Sequence, residues 1–177
     1  MSEILLARAR KGDKDAFGQL IYPYERLIYN IACKYMGNAE DAKDTAQEAM
    51  LKIYLNIKSC RSYATFKAWS AKITVNASLD ALRKRARKSA ETLEEHQAPE
   101  TDEPEHTAII NEDVRNLKDA INALGEDQRT LIILRDLEGF SYAELAETTG
   151  AALGTVKSRL SRARLALREQ IDKSWRL

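Results

Sequence analysis

Cysteine and histidine are nearly absent from this chain, with two of each in 177 residues. Cys33 and Cys60 lie far apart, and neither belongs to a Cys-x-x-Cys pair or has histidine at ligand spacing, so neither a zinc site nor a disulfide framework is indicated. Cys33 reads as a small apolar packing residue and Cys60 as a loop residue open to solvent, with a redox role the weaker reading. His96 and His106 fall in a polar stretch with Pro99 and Pro104. No nucleophile–base constellation, phosphate-binding glycine loop or metal-ligand cluster occurs, so no catalytic residue, metal or cofactor is expected. Strand-like alternation is nearly missing, which argues against an α/β receiver. No apolar run approaches the roughly 18 residues of a membrane span, and Met1–Gly12 has no signal-peptide core. These absences point to a cytoplasmic protein without membrane insertion.

A surplus of one charge is also lacking, since 28 Lys and Arg nearly balance 27 Asp and Glu. Spread evenly, that balance would count against nucleic-acid binding, but the charge is segregated. Residues 83–88 read Arg-Lys-Arg-Ala-Arg-Lys, whereas 91–113 carry nine Asp and Glu and no Lys or Arg. The acidic stretch gains Pro99 and Pro104 and loses large apolar residues, the composition of a flexible tether. It divides the chain into a first domain, 1–90, a linker, 91–112, and a second domain, 113–177. The second is small enough that its stability gains from docking to something larger.

What is abundant is helical periodicity, so the fold class is all-α, two small helical domains joined by the linker. Phe17, Leu20, Ile21, Tyr24, Leu27, Ile28, Ile31 and Tyr35 make one buried face, interrupted or bent at Pro23 and stopped by Gly37. Asn38 caps the next helix, whose inward stripe is Ala42, Ala46, Ala49, Met50, Ile53, Tyr54 and Ile57. Lys58–Thr65 reads as a loop, and a third helix starts near Phe66 with Trp69, Ile73, Ala77 and Ala81 inward. Beyond the linker, Val114, Leu117, Ile121 and Leu124 mark one amphipathic helix, and Leu131, Ile132, Leu134 and Leu137 another.

A helix-turn-helix follows. Ser141 and Glu144 have capping-box spacing, Ala146 is small where two helices cross, Gly150 suits a tight turn, and Val156 and Leu160 point inward from a second helix. On that helix Lys157, Ser158, Arg159, Ser161, Arg162 and Arg164 cover most of the outward surface, where a groove-inserted helix needs donors. Taken alone, a basic amphipathic helix is more often solvated surface; the capped helix and turn in register favour DNA recognition.

Residues 124–164, with Leu134-Arg-Asp-Leu-Glu-Gly-Phe-Ser-Tyr-Ala-Glu-Leu-Ala and Gly154-Thr-Val-Lys-Ser-Arg-Leu-Ser-Arg-Ala-Arg, closely resemble region 4 of bacterial extracytoplasmic-function (ECF) sigma factors, in the sigma-70 family. Ala39-Glu-Asp-Ala-Lys-Asp-Thr-Ala-Gln-Glu-Ala-Met-Leu-Lys resembles their region 2.2, and Phe66-Lys-Ala-Trp-Ser-Ala-Lys-Ile-Thr-Val-Asn-Ala-Ser-Leu-Asp their regions 2.3 and 2.4. Gly125 and Ala152 depart from the prolines common there, and Ser70 from a leucine, which puts local packing in question.

The resemblance implies a protein that binds core RNA polymerase through its β′ and β subunits, recognises −10 and −35 promoter elements in duplex and melted DNA, and is held inactive in many family members by an anti-sigma factor. Asp41, Asp44, Gln47, Glu48 and Lys52 would grip the β′ coiled coil; on the residues alone a solvated acidic face is the favoured reading. Lys72, Asn76, Arg83, Lys84, Arg85 and Arg87, with Arg61, Ser62 and Tyr63 in the loop, would hold the melted −10 strand. Asn76 also fits a buried packing amide, and Phe66 and Trp69 fit core better than stacking platforms. Thr155, Lys157, Ser158, Arg159 and Arg162 would read the −35 element, with Leu137, Phe140 and Leu145 as core and Arg164 and Arg168 as surface. The acidic linker would follow a positively charged polymerase channel. The competing reading, a conventional helix-turn-helix regulator, accounts for only half of the chain.

Overall fold

Two helix starts in the first domain are set by the short polar side chains of Asp13 and Asn38. The computed structural model describes residues 2–93 and 112–174, which contain helices, turns and no strand. Helix α1 (Ser2–Arg10) buries Leu6 and Ala9 and packs on α2 (Lys14–Ile21), whose N-cap Asp13 accepts from the Ala16 amide. So short a stripe gave α1 little periodic signal. Pro23 sits in a 3₁₀ turn, Tyr22–Tyr24, that breaks the expected first helix before α3 (Glu25–Met36). Gly37 ends α3 with φ +84°, a left-handed conformation that favours glycine. Asn38 then caps α4 (Ala39–Leu55) through the Asp41 amide.

A short 3₁₀ turn, Ile57–Ser59, leads to α5 (Tyr63–Leu93), which begins earlier than the periodicity placed it. Cys60 is buried rather than solvent-open, and burial pushes its thiol pKa up, which opposes a redox role. Cys33 packs against the core as expected. Ser70 is also buried, but its hydroxyl donates to the Lys67 carbonyl at 3.0 Å, so the departure from leucine leaves no unpaired group.

After the linker, α6 (Glu112–Asn122) buries Ile121 and leaves Val114 and Leu117 exposed, so only the far end of its stripe is core. Helix α7 (Glu126–Ile132) runs into a π turn, Ile133–Leu137, that turns Leu137 outward although sequence spacing placed it in the core. Phe140 and Leu145 are fully buried as expected. Helices α8 (Tyr142–Thr149) and α9 (Leu153–Ser174) complete the set. Among the described residues no helix is long and apolar enough to cross a membrane.

Candidate nucleic-acid interface

The turn between α8 and α9 is built as the residues demand. Ser141 Oγ accepts from the Glu144 amide at 3.1 Å, and a Glu144 carboxylate oxygen accepts from the Ser141 amide at 2.7 Å, which closes the capping box. Gly150 takes φ +72° and its amide donates to the Ala146 carbonyl. Val156, Leu160 and Ala163 pin α9 from below, and Lys157, Ser158, Arg159 and Arg162 are exposed on its outer side, with Thr155 half-buried. Lys157 Nζ lies 5.7 Å from the Tyr142 ring centroid, while Ser158 Oγ donates to the Thr155 carbonyl. Arg164, expected as solvated surface, is held by two hydrogen bonds to the Asp136 carboxylate.

On α5 the basic residues divide between two sides. Lys72, Asn76 and Arg83 follow helical spacing on the side toward the second domain, and Asn76 is exposed, not a packing amide. Lys84 and Arg85 line a groove against α4, where Arg85 meets Asp41 at 3.2 Å. Arg87 is exposed further along. Of the loop candidates, Arg61 is exposed, while Ser62 and Tyr63 are half-buried at the helix start. Tyr63 belongs to α5: its amide donates to Glu3, and its hydroxyl accepts from Tyr24 at 3.1 Å. Phe66 is fully buried and Trp69 half-buried against it, ring centroids 5.8 Å apart.

The five α4 candidates do not share one free face. Asp41 leans on Arg85, and Lys52 bridges Glu48 at 2.8 Å and Asp80 of α5 at 3.6 Å, with its pKa raised by the Glu48 bond first. Asp44, Gln47 and Glu48 are exposed beside Leu51 and Leu55, which remain 57% and 68% exposed. The sequence reading passed over these two leucines. Their four-residue spacing away from the stripe of Ala42, Ala46 and Ala49 was the available signal.

Sequence reasoning also missed how the two domains meet. Lys72 and Asn76 line the same cleft as Arg159 and Thr148, and Arg61 and Trp69 line a second cleft with Ala151 and Leu153 of the helix-turn-helix. Lys67 of α5 donates to Glu144 of α8 at 2.8 Å, and Thr148 Oγ1 lies 3.3 Å from the Ala68 carbonyl. Burial acts to raise the Glu144 pKa, but hydrogen bonds from Lys67 and Ser141 outweigh it and leave it below the usual carboxylate value. No group of three or more metal-ligating side chains occurs among the described residues. The linker carboxylates from Glu94 to Glu105, His96 and His106 lie outside them.

Residues 20–88 match the sequence family described as sigma-70 region 2, and residues 115–167 match sigma-70 region 4. The chain is 33% identical to the RNA polymerase sigma-H factor of Pseudomonas aeruginosa, covering 96% of this chain and 91% of that one. It is 33% identical to the ECF RNA polymerase sigma-E factor of Haemophilus influenzae, covering 96% and 95%. The chain belongs to the ECF sigma factors. This sigma factor is also 30% identical to ECF sigma factor SigW of Bacillus subtilis over 94% of both chains. Its fold matches the sigma factor RpoE of Bartonella quintana, solved in complex with the anti-sigma factor NepR, at a TM-score of 0.65, 28% identity and 88% and 96% coverage. CnrH, solved with the cytosolic domain of CnrY, shares the fold at a TM-score of 0.71 and 24% identity, covering 98% of this chain and 99% of that one.

Proposed function

We propose that this sigma factor binds core RNA polymerase and directs promoter-specific initiation, without catalysis of its own and in the cytoplasm at the nucleoid. The observation that carries the reading is the pairing, in one chain, of a capped helix-turn-helix that exposes Lys157, Arg159 and Arg162 with a separate region 2 whose α4 and α5 present polar and basic faces. A conventional regulator would need only the first. We divide the chain functionally at its acidic stretch, with residues 1–90 taking core polymerase and the −10 element and 113–177 taking the −35 element.

Asp44, Gln47 and Glu48, flanked by Leu51 and Leu55, offer the β′ coiled coil a polar rim around apolar contact, the usual anatomy of a protein interface. Asp41, paired with Arg85, and Lys52, paired with Asp80, act through α5 and fix its orientation. Lys72, Asn76, Arg83 and Arg87, with Arg61, Ser62 and Tyr63 at the start of α5, supply donors to the unstacked bases and phosphates of the −10 strand. Lys84 and Arg85 lie nearer the polymerase face. Thr155, Lys157, Ser158, Arg159 and Arg162 read the −35 duplex from the major groove. An anti-sigma factor is the expected negative regulator, as in the Bartonella complex.

The test is transcription in vitro from a pool of random promoters by core polymerase with and without this chain. Transcripts that start downstream of a shared pair of motifs only when the chain is present establish the function. Operator-like DNA binding without initiation would overturn it in favour of the regulator.

A further inference from the structure

We propose that α1 braces the loop before α5: Arg10 and Glu3 are positioning residues that fix residues 60–62 and the first turn of α5 in the shape that presents Arg61, Ser62 and Tyr63 to the melted −10 strand. The inference deepens the promoter reading above and rests on it. Both residues precede the stretch, 20–88, that matches sigma-70 region 2.

Glu3, Leu6 and Arg10 recur at helical spacing and share one side of α1, where the fully buried Leu6 anchors the helix in the core. From that side both polar residues reach far along the chain. Arg10 Nη2 donates to the Cys60 carbonyl and, at 2.9 Å, to the Arg61 carbonyl. The Ser62 carbonyl accepts from Thr65 Oγ1 at 3.1 Å, so all three carbonyls of the loop are held, two of them by one guanidinium. Glu3 accepts from the Tyr63 amide at 2.9 Å, which supplies a carboxylate to the start of α5 from another helix 60 positions away. Arg10 Nε is buried without a hydrogen-bond partner, so the side chain sits where its outer nitrogen meets the loop although its inner one goes unsatisfied.

What α1 grips is backbone, and that leaves the loop side chains to the DNA. Arg61 is exposed, and Ser62 and Tyr63 are half-buried at the rim. An irregular segment has no ladder of its own to hold it, and ordering it on contact with the strand would lower affinity. Held by Arg10 and Glu3, it is ordered when the chain folds. Discrimination between bases needs donors fixed to within about 0.5 Å, which a braced loop provides and a mobile one does not. Cys60 reports on this arrangement: it is fully buried, and its Sγ lies 3.4 Å from the Ser62 carbonyl, so loosening the loop uncovers the thiol.

The test uses the full-length chain, alone and with core polymerase. In the free chain, iodoacetamide should label Cys60 faster in Arg10→Ala than in wild type, measured against Cys33 by mass spectrometry of the two peptides. With core polymerase, transcription is read from two libraries of a promoter recovered from the random pool, one randomised through the −10 element and the other through the −35 element. Arg10→Ala should flatten base preference in the −10 library about tenfold, the low end of what losing a hydrogen bond to a charged group does, and leave the −35 preference as in wild type. Arg10→Lys, which keeps a donor for the carbonyls, should restore part of the preference. Glu3 is exposed, so Glu3→Ala removes the cap without disturbing the core and should flatten −10 preference about fivefold, as for loss of a helix cap. A merely structural role would lower transcription from every template and leave the preferences intact, and that result overturns the proposal. So does a uniform loss across the −10 library with a salt dependence weaker by about one ion, which would make Arg10 a phosphate contact. Unchanged Cys60 labelling in Arg10→Ala removes the brace itself. Failure of the wild-type chain to direct initiation would instead sink the promoter reading, and with it the role of the loop, while faster labelling of Cys60 would still show that α1 holds it.

Discussion

Tyr35 and Thr130, 95 positions apart, share a hydroxyl–hydroxyl hydrogen bond of 2.8 Å that ties α3 of region 2 to α7 of region 4. Burial raises the Tyr35 pKa to about 12, against the opposing influences of the Thr130 bond and the Arg129 charge, with Glu126 adding to the rise. The folded chain therefore holds this proton where an unfolded one, titrating near 10, has lost it. Stability from Tyr35 is present below pH 10 and declines as pH climbs from 10 to 12, by about 1.4 kcal/mol per unit. Burial and the bond to Tyr63 push the Tyr24 pKa up as well, so the measurement is a difference. Urea denaturation of wild type and Tyr35→Phe between pH 8 and 11 should show the gap between them shrinking or reversing as pH rises. A gap independent of pH would show that Tyr35 is not shielded in this way.

The capping box gives a separable effect on region 4. Ser141→Ala frees the Glu144 amide and should cost about 1 kcal/mol. For a unit of this size that lowers the melting temperature of region 4 by about 4–8 °C. Because Ser141 is none of the exposed α9 donors and the Tyr142 ring beside Lys157 is kept, −35 affinity at low temperature should stay within about twofold of wild type, as for a surface change that leaves the contacts in place. Calorimetry and duplex binding at 10 °C check the two halves of this prediction.

Ser141 and Glu144 were legible because a capping box is contained within four residues, as were the Asn38 cap, the Gly37 and Gly150 turns and the Pro23 break. Val156 and Leu160 were equally clear from spacing on one helix. What escaped the sequence depends on distant partners. Lys67 and Glu144 are 77 positions apart, and no local pattern distinguishes that lysine from its solvated neighbours. Leu137 had the right spacing, but a π turn adds a residue to the helical cycle and swings it outward. The basic run 83–88 looked like one surface; wound on α5 it divides, and Arg85 is taken by Asp41. Asn76 admitted two readings until its exposure selected one.

Leu51 and Leu55 make a prediction about the polymerase face. One turn apart and more than half exposed, they add little to folding but offer apolar contact beside Gln47 and Glu48. Leu51→Ala/Leu55→Ala should leave the melting temperature within about 2 °C, as for surface substitutions. It should weaken binding to core polymerase at least tenfold, about 1.4 kcal/mol. Fluorescence titration of labelled chain with core enzyme reads the affinity. Unchanged binding would remove α4 from the interface.

Lys157 and Arg159 should separate into the two classes of DNA contact. The lysine is a point charge near the Tyr142 ring at the start of α9, suited to a phosphate, whereas the planar fork of Arg159 matches a guanine edge. Lys157→Ala should weaken all duplexes alike and reduce the salt dependence of binding by about one ion. Arg159→Ala should cost about 1–3 kcal/mol on the preferred −35 sequence and relax selection at one position of it. The measurement is selection from a randomised duplex pool at two salt concentrations. If both variants lose affinity uniformly across the pool, α9 positions the duplex through phosphates, and its base reading falls to Arg162 and Ser158 on the same exposed face.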